Sequence, residues 1–351
     1  MLTLVPGLVG GSETYVRELT KALTRVGRLE YRALVPLIAS DAADGLPAAE
    51  IRSYPASRSA VGRILAMGCA TVRPGSLRRE VEGTGIGAIH FPLTVMLPRE
   101  AGMPAAVTVL DLQHEVFPQL FTRTQRIYRR FYYRTAAQRS DRVIVISEHV
   151  KETVVERLGV AEERVRVAHL GVDLERYAPD HGPRLPFLLY PANNWPAKNH
   201  ARLFQAFAEL RRQRPDLRLV LTGVGHEQAS LPAGVESRGY VTSSALLELY
   251  RRAALLVFPS LYEGFGQPPL EAMACGCPVA VSTAGALPEV CGDAACYFDP
   301  MSVEEMTAAC ETALSRHEEL AARGLERARG FTWDECARRH DSVYDELLAA
   351  A

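Results

Sequence analysis

Short apolar runs alternate with stretches of helical period along almost the whole chain. The runs at residues 2–6, 31–37, 88–91, 105–110, 142–146 and 165–167 read as strands, and after Pro183 a second series follows at 187–191, 218–222, 235–238, 255–259, 279–281 and 296–298. Between them, residues 13–26, 149–158, 200–214 and 244–253 place apolar side chains at helical spacing. Continuous apolar strands alternating with helices predict parallel sheets covered on both faces. Twelve strands are many for one sheet, so two doubly wound domains are expected. The stretch DLERYAPDHGPRLP, residues 173–186, has three prolines and no period, and marks the boundary. Residues 333–347 read as a closing helix with Trp333, Cys336, Ala337, His340, Val343, Tyr344 and Leu347 on one face.

Composition narrows the chemistry. The chain has 351 residues, 48% hydrophobic and 23% charged, with a formal net charge of -1. That balance fits a globular protein and gives no overall field favouring nucleic acid. No apolar run reaches the length of a membrane span, and the N-terminus lacks the basic region and cleavage site of a signal peptide. Seven scattered cysteines without a His cluster read as reduced, buried thiols, and a cytoplasmic location is expected. Lysine occurs only at Lys21, Lys151 and Lys198, and in so arginine-rich a chain a surviving lysine sits slightly more often where a compact ammonium matters.

The stretch FPSLYEGFGQPPLEAMACGCP, residues 258–278, carries the strongest local signal. A strand ends, Gly264 and Gly266 open a turn, and Pro268 and Pro269 suit the start of a short helix. In a doubly wound domain that turn lies where ligands bind, and its amides and helix dipole favour an anion. Glu263 and Glu271 flank it with seven residues between. Carboxylates so placed accept paired hydrogen bonds from vicinal hydroxyls. The alternative is that Glu271 complements the helix dipole and Glu263 is solvated.

This segment resembles the E-x7-E stretch of family-4 glycosyltransferases, retaining enzymes of the GT-B type. GLVGGSETYVRELTKAL (7–23), TVLDLQHEVFPQLF (108–121), VIVISEHVKETVV, HLGVDLERY and LYPANNWPAKNHARLFQAF (189–207) resemble other family segments in the same order. The resemblance implies a GT-B fold: an acceptor domain at 1–178, a nucleotide-sugar domain at 187–330, a cleft between them, and a helix at 331–351 returning to the first domain. It further implies that Glu271 holds ribose hydroxyls and Glu263 donor-sugar hydroxyls. Gly264, Phe265, Gly266 and Gln267 would face the sugar and diphosphate, and Lys198 would bind the diphosphate. Gly10 and Gly11 would let a loop approach the phosphates, His114 would lie beside the reacting sugar, and Tyr240 and Val241 would flank the base. His114, Glu263 and Lys198 are then the catalytic set. Where the family often carries an arginine five residues before the lysine, this chain has Asn193; Arg142, Arg164, Arg166 and Arg202 are candidates to replace that cation. Read without the resemblance, His114 is a structural histidine, Lys198 a surface lysine, and Ser12 a helix cap followed by Thr14.

No Asp-x-Asp pair is present, so no metal and no cofactor beyond the nucleotide sugar is expected. The implied reaction moves a hexose, with a GDP-mannose-like donor favoured, to a polysaccharide, lipid-linked or secondary-metabolite acceptor. The alternatives are a GT-B nucleotide-sugar epimerase and a non-catalytic sugar-nucleotide binder. An NAD-dependent oxidoreductase is disfavoured, because no glycine fingerprint directly follows a strand: residues 83–87 (GTGIG) precede one and read as a helix stop. Finally, Arg123–Arg139 is basic and aromatic. It is read as an amphipathic helix with Ile127 and Phe131 in the core, in preference to a contact with an anionic membrane or a charged acceptor.

Overall fold

The computed structural model describes residues 1–7, 10–180, 182–226 and 230–350, and resolves into two compact units. The first comprises Met1–Gly171 together with Trp333–Ala351; the second is Val172–Thr332. The change-over falls at Gly171, ahead of the proline-rich stretch. Val172 already belongs to the second unit, donating its amide to the Phe331 carbonyl (3.0 Å) and bridging to Thr332.

In the first unit the strands are β1 (Ala33–Pro36), β2 (Ala48–Ile51), β3 (Ile89–Phe91), β4 (Ala105–Val109), β5 (Arg142–Val145) and β6 (Val165–Val167). The helices are α1 (Gly11–Val26), α2 (Ala60–Val72), α3 (Gly75–Glu82), α4 (Gln113–Val116), α5 (Arg123–Arg139) and α6 (Glu148–Leu158). All pairing is parallel, in the order β3-β4-β5-β6, with β1-β2 as a separate pair. A cavity of about 740 Å3 lies between the two sets, lined by Ala33 and Leu34 of β1, Ile89 and Phe91 of β3, and Leu19 and Leu23 of α1.

Residues 2–6 do not form the expected strand. Leu2, Leu4 and Val5 are buried, which explains their apolar pattern, but they turn back on themselves, with the Leu4 amide on the Met1 carbonyl. Ser12 is not the cap of α1 either. The N-cap is Gly10, at φ 51°, and Ser12 lies inside the first turn. Gly83, by contrast, does end α3 ahead of β3.

The second unit is a six-stranded parallel sheet of β7 (Leu185–Pro191), β8 (Arg218–Thr222), β9 (Val235–Ser237), β10 (Ala253–Phe258), β11 (Val279–Ser282) and β12 (Ala295–Phe298). Its helices are α7 (His200–Gln213), α8 (Ser243–Arg252), α9 (Gln267–Ala274), α10 (Leu287–Cys291), α11 (Val303–Ser315) and α12 (His317–Arg329). The strand order β12-β11-β10-β7-β8-β9 reverses between β7 and β10. That switch point is where an open α/β sheet leaves a crevice at its carboxyl edge.

The last helix, α13 (Trp333–Ala349), belongs to the first unit. Val343 and Leu347 cover Ala106 of β4 and Ile144 of β5, and Tyr15 of α1 bonds His340 of α13 at 2.9 Å. No helix among the described residues is long and apolar enough to cross a membrane. Six of the seven cysteines are buried and all are free; only Cys69 is exposed.

One expectation is reversed on the surface. Ile127 and Phe131 of α5 are exposed, and the buried residues of that helix are Ala136 and Ala137. The helix packs inward through its tyrosines and alanines, and this leaves the Ile127/Phe131 face in water.

Candidate functional site

In the second unit the loops after β7 and β10 meet at the switch point. The chain leaves β7 and makes a short 3-10 turn at Pro196–Lys198, and Asn199 at φ 60° starts α7. Asn tolerates this left-handed conformation better than most residues. Its buried side chain donates to the carbonyls of Pro259 (3.1 Å) and Pro300 (2.7 Å). The Leu261 amide donates to the Ala197 carbonyl at 2.8 Å. These backbone ties fix the ends of two loops, and between them Lys198 Nζ meets Glu263 Oε1 at 2.5 Å. Both side chains are mostly sheltered from water, and the ammonium lies 5.6 Å from the centre of the Phe258 ring.

The Glu263 loop is held from below. Phe265 is buried with its ring edge-on to Phe331, and Gly266 at φ 112° caps α9, where Pro268 and Pro269 fill the first turn. A Cβ on Gly266 would approach Leu287 to 2.7 Å. Gly285, at φ 63°, is tighter still: a Cβ there would lie 2.2 Å from the Glu263 carbonyl oxygen, which accepts the Ala286 amide at 3.0 Å. Gly285 was not singled out from sequence. Its only signal is a turn-forming Ser-Thr-Ala-Gly run after an apolar strand.

Glu271, on α9, is buried. The Tyr250 hydroxyl donates to its Oε2 at 2.9 Å, and the side chains of Gln267 and Tyr177 also bond it. Burial pushes its carboxyl up to about 7, against the opposing pull of those hydrogen bonds. Tyr177 and Tyr250 escaped the sequence reading because their partner is defined only by the folded chain.

The remaining candidates in this unit lie on nearby loops. Asn193 Oδ1 accepts the Val224 amide at 2.9 Å, so the side chain closes the turn at 223–225. Tyr240 is fully displayed to solvent and Val241 half-buried, just ahead of the Thr242 cap of α8. Of the four arginines considered as substitutes, Arg202 reaches Asn199 Oδ1 at 3.1 Å, beside Lys198 in the chain. The others lie in the first unit with partners of their own: Arg142 and Arg166 bind Glu346, and Arg164 binds backbone carbonyls.

The first unit carries His114, Gly10 and Gly11. His114 sits on α4, buried, with neither ring nitrogen hydrogen-bonded among the described residues. Tyr133 packs edge-on at 5.3 Å and Phe121 at 6.2 Å, and Arg129 lies over both of those rings. Burial first, and Arg129 second, hold the imidazole below its ordinary value, so it is neutral near pH 7. A buried imidazole with both nitrogens unsatisfied is costly unless something else completes it. Gly10 and Gly11 open α1, and a Cβ at either would meet nothing within 4 Å. Their loop also contains residues 8 and 9, which lie outside the described residues. None of the candidate residues lines the cavity between β1 and β3.

Together, the second unit offers a carboxylate–tyrosine cluster suited to hydroxyl pairs, an ammonium–carboxylate pair and a glycine-opened helix N-terminus. Groups of these kinds can accept paired hydroxyls and favour an anion.

Comparison with known proteins points to glycosyltransferases. The model of Glycosyltransferase Family 4 matches residues 9–176, and that of Glycosyl transferases group 1 matches residues 186–316. The O-antigen chain mannosyltransferase B of Escherichia coli is 36% identical over 178 residues, 46% of each chain. The matched stretch spans less than half the length of the first curated relatives. Among solved structures, sucrose-phosphate synthase from Thermosynechococcus elongatus superposes with a TM-score of 0.76 at 21% identity, covering 97% of this chain and 94% of that one. Anabaena HepE in complex with UDP-glucose gives 0.73 at 16%, covering 98% of both chains. At these identities the structures establish the fold, which is GT-B.

Proposed function

This chain belongs to the family-4, group 1 glycosyltransferases through both matched stretches, and on that premise we propose that it is a retaining, metal-independent hexosyltransferase using a nucleotide diphosphate sugar. The observation that carries the reading is the Lys198–Glu263 pair formed by the loops after β7 and β10, with the buried, tyrosine-bonded Glu271 on the helix that follows the same β10 loop. In this reading Glu271, ionised, accepts the two ribose hydroxyls. Lys198 neutralises the diphosphate, aided by the N-terminus of α9 and the amides of residues 265–267. Glu263 accepts hydroxyls of the donor sugar and orients the Lys198 ammonium. His114 supplies a neutral imidazole to a hydroxyl of the donor sugar or acceptor.

The anomeric carbon–oxygen bond to the diphosphate breaks as the acceptor oxygen bonds the same face of that carbon. The departing diphosphate oxygen takes the acceptor proton. Charge gathers on the diphosphate as the bond lengthens, so a fixed ammonium helps the transition state more than the ground state. The curated mannosyltransferase relatives favour a mannose donor, and GDP-mannose is the first candidate. A polysaccharide, lipid-linked or small-molecule acceptor fits the same reading.

A thermal-shift panel of nucleotide diphosphate sugars, followed by transfer assays with and without excess chelator, tests this. Stabilisation by one donor and undiminished transfer in chelator are expected. Loss of activity in chelator with rescue by Mg or Mn would refute metal independence, and reversible epimer formation without transfer would refute the reaction.

A further inference from the structure

The surface formed by α2 and α5 in the first unit has a composition that the reaction does not use. On α2 the exposed side chains are Val61 (68%), Ile64 (67%), Leu65 (62%) and Val72 (79%), with Cys69 among them. They recur at helical spacing along one face, while Ala66, Met67 and Ala70 are buried behind them. On α5 one stripe carries Arg123, Arg126, Ile127 (72% exposed), Arg130, Phe131 (44%) and Arg134. The two helices are neighbours: the Tyr128 hydroxyl contacts Met67 Sδ at 3.3 Å, and Thr71 bonds Tyr132 at 3.1 Å.

The charge pattern is one-sided. Residues 57–79 contain five arginines and residues 116–140 six, and neither stretch has a single Asp or Glu, in a chain whose net charge is -1; Arg78, Arg129 and Arg139 pair with Glu82, Asp111 and Glu100 outside these stretches. Arg123, Arg126 and Arg130 have no acidic partner among the described residues.

Lone exposed apolar residues need no explanation, but a clustered set rimmed by one sign of charge does. Free phosphate or nucleic acid would use the arginines and leave Ile64, Leu65 and Val72 in water. A purely apolar protein partner would leave the arginines uncompensated. An anionic lipid surface satisfies both, because apolar side chains enter the acyl boundary while arginine stems bury and guanidinium heads reach the phosphates. We propose that the α2–α5 face docks the first unit onto an anionic membrane surface, lying on it without crossing. This stands apart from the transfer reaction and needs neither donor nor acceptor.

The test is vesicle co-sedimentation of the full chain, comparing pure phosphatidylcholine with phosphatidylcholine containing about one third phosphatidylglycerol. A polarity-sensitive fluorophore on Cys69 gives a second readout, since the other six cysteines are buried. Binding to the anionic vesicles alone, weakened by salt, with a blue shift of the probe, is expected. At about fivefold per arginine, the triple variant R123Q/R126Q/R130Q should partition about a hundredfold more weakly. I64S/L65S should bind more weakly with an unchanged melting temperature. Equal binding to both vesicle types, no binding to either, or unaltered binding by the triple variant would overturn the proposal. So would binding to duplex DNA as tight as to vesicles, which marks a general polyanion site, or self-association abolished by Leu65→Glu.

Discussion

At the scale of single residues, the Lys198–Glu263 pair sets the sharpest expectations. Removing a fixed charge that stabilises a transition state typically costs ~100- to 1000-fold in rate. Lys198→Ala should therefore reduce turnover by that order while barely moving the melting temperature, and Lys198→Arg should restore only part of it. A solvated lysine at a helix start would instead leave turnover unchanged. Glu263→Gln removes the carboxylate that occupies the ammonium, so free nucleoside diphosphate should bind more tightly while transfer slows; titration calorimetry and steady-state rates separate the two.

Glu271 adds a pH dependence whose sign is fixed by its raised carboxyl. Below about pH 4.5 folded and unfolded chains are both protonated there. Between that value and about 7 the folded chain keeps a proton that the unfolded chain has lost, so stability falls as pH rises. The full cost, about 3 kcal/mol, is reached above the folded value. Glu271→Gln should flatten this slope in melting curves and stabilise the apoprotein at about pH 8, while losing nucleotide affinity. Lys198, Glu263 and Glu271 were legible through motif resemblance. Tyr177 and Tyr250, which shape the behaviour of Glu271, were not, because nothing local marks a tyrosine that reaches a distant carboxylate.

At the scale of elements, the site depends on how closely loops approach. Gly285 has positive φ and no room for a Cβ against the Glu263 carbonyl. Gly285→Ala should push the Glu263 loop outward, lowering kcat and melting temperature together, in contrast to the clean rate loss of Lys198→Ala. If activity survives this substitution, the loop position is not what organises the pair. Strands buried on both faces were readable as continuous apolar runs, and β6 and β8 match the reading residue for residue. β2 was invisible: its AAEI sequence is mostly exposed and has no apolar run. Residues 2–6 misled for the opposite reason, being buried without a ladder. The helical period of α5 is legible along the chain but its rotation is not, since its tyrosines, not Ile127 and Phe131, supply the packing face.

At the scale of the whole molecule, α13 completes the first unit through a buried polar chain. Tyr15 bonds both Thr108 and His340 at 2.9 Å, His90 bonds Thr108 at 2.7 Å, and Tyr344 bonds His90 at 2.8 Å. Burial lowers His340 to about 4 and holds His90 well below the ordinary imidazole value. The unfolded chain then binds protons at these sites that the folded unit refuses, so stability is present above about 6.5 and drains away as pH falls towards 4. His340→Gln, which can keep one hydrogen bond without titrating, should blunt acid unfolding followed by near-UV circular dichroism; an unchanged acid midpoint would place the sensitivity elsewhere.

The gap between β1 and β3 has a consequence for solubility. Among the described strands, β1 pairs only with β2 and β3 only with β4, so each keeps one edge without a ladder partner, apart from the Met1 amine on the Leu34 carbonyl. Two open edges facing a largely apolar slot form a template for any extended chain of matching length. Concentrated solutions of the folded protein should therefore associate by strand addition at this slot before they unfold. A short apolar peptide that fills it should act as a stabilising excipient, raising the melting temperature and suppressing light scattering without touching the nucleotide site.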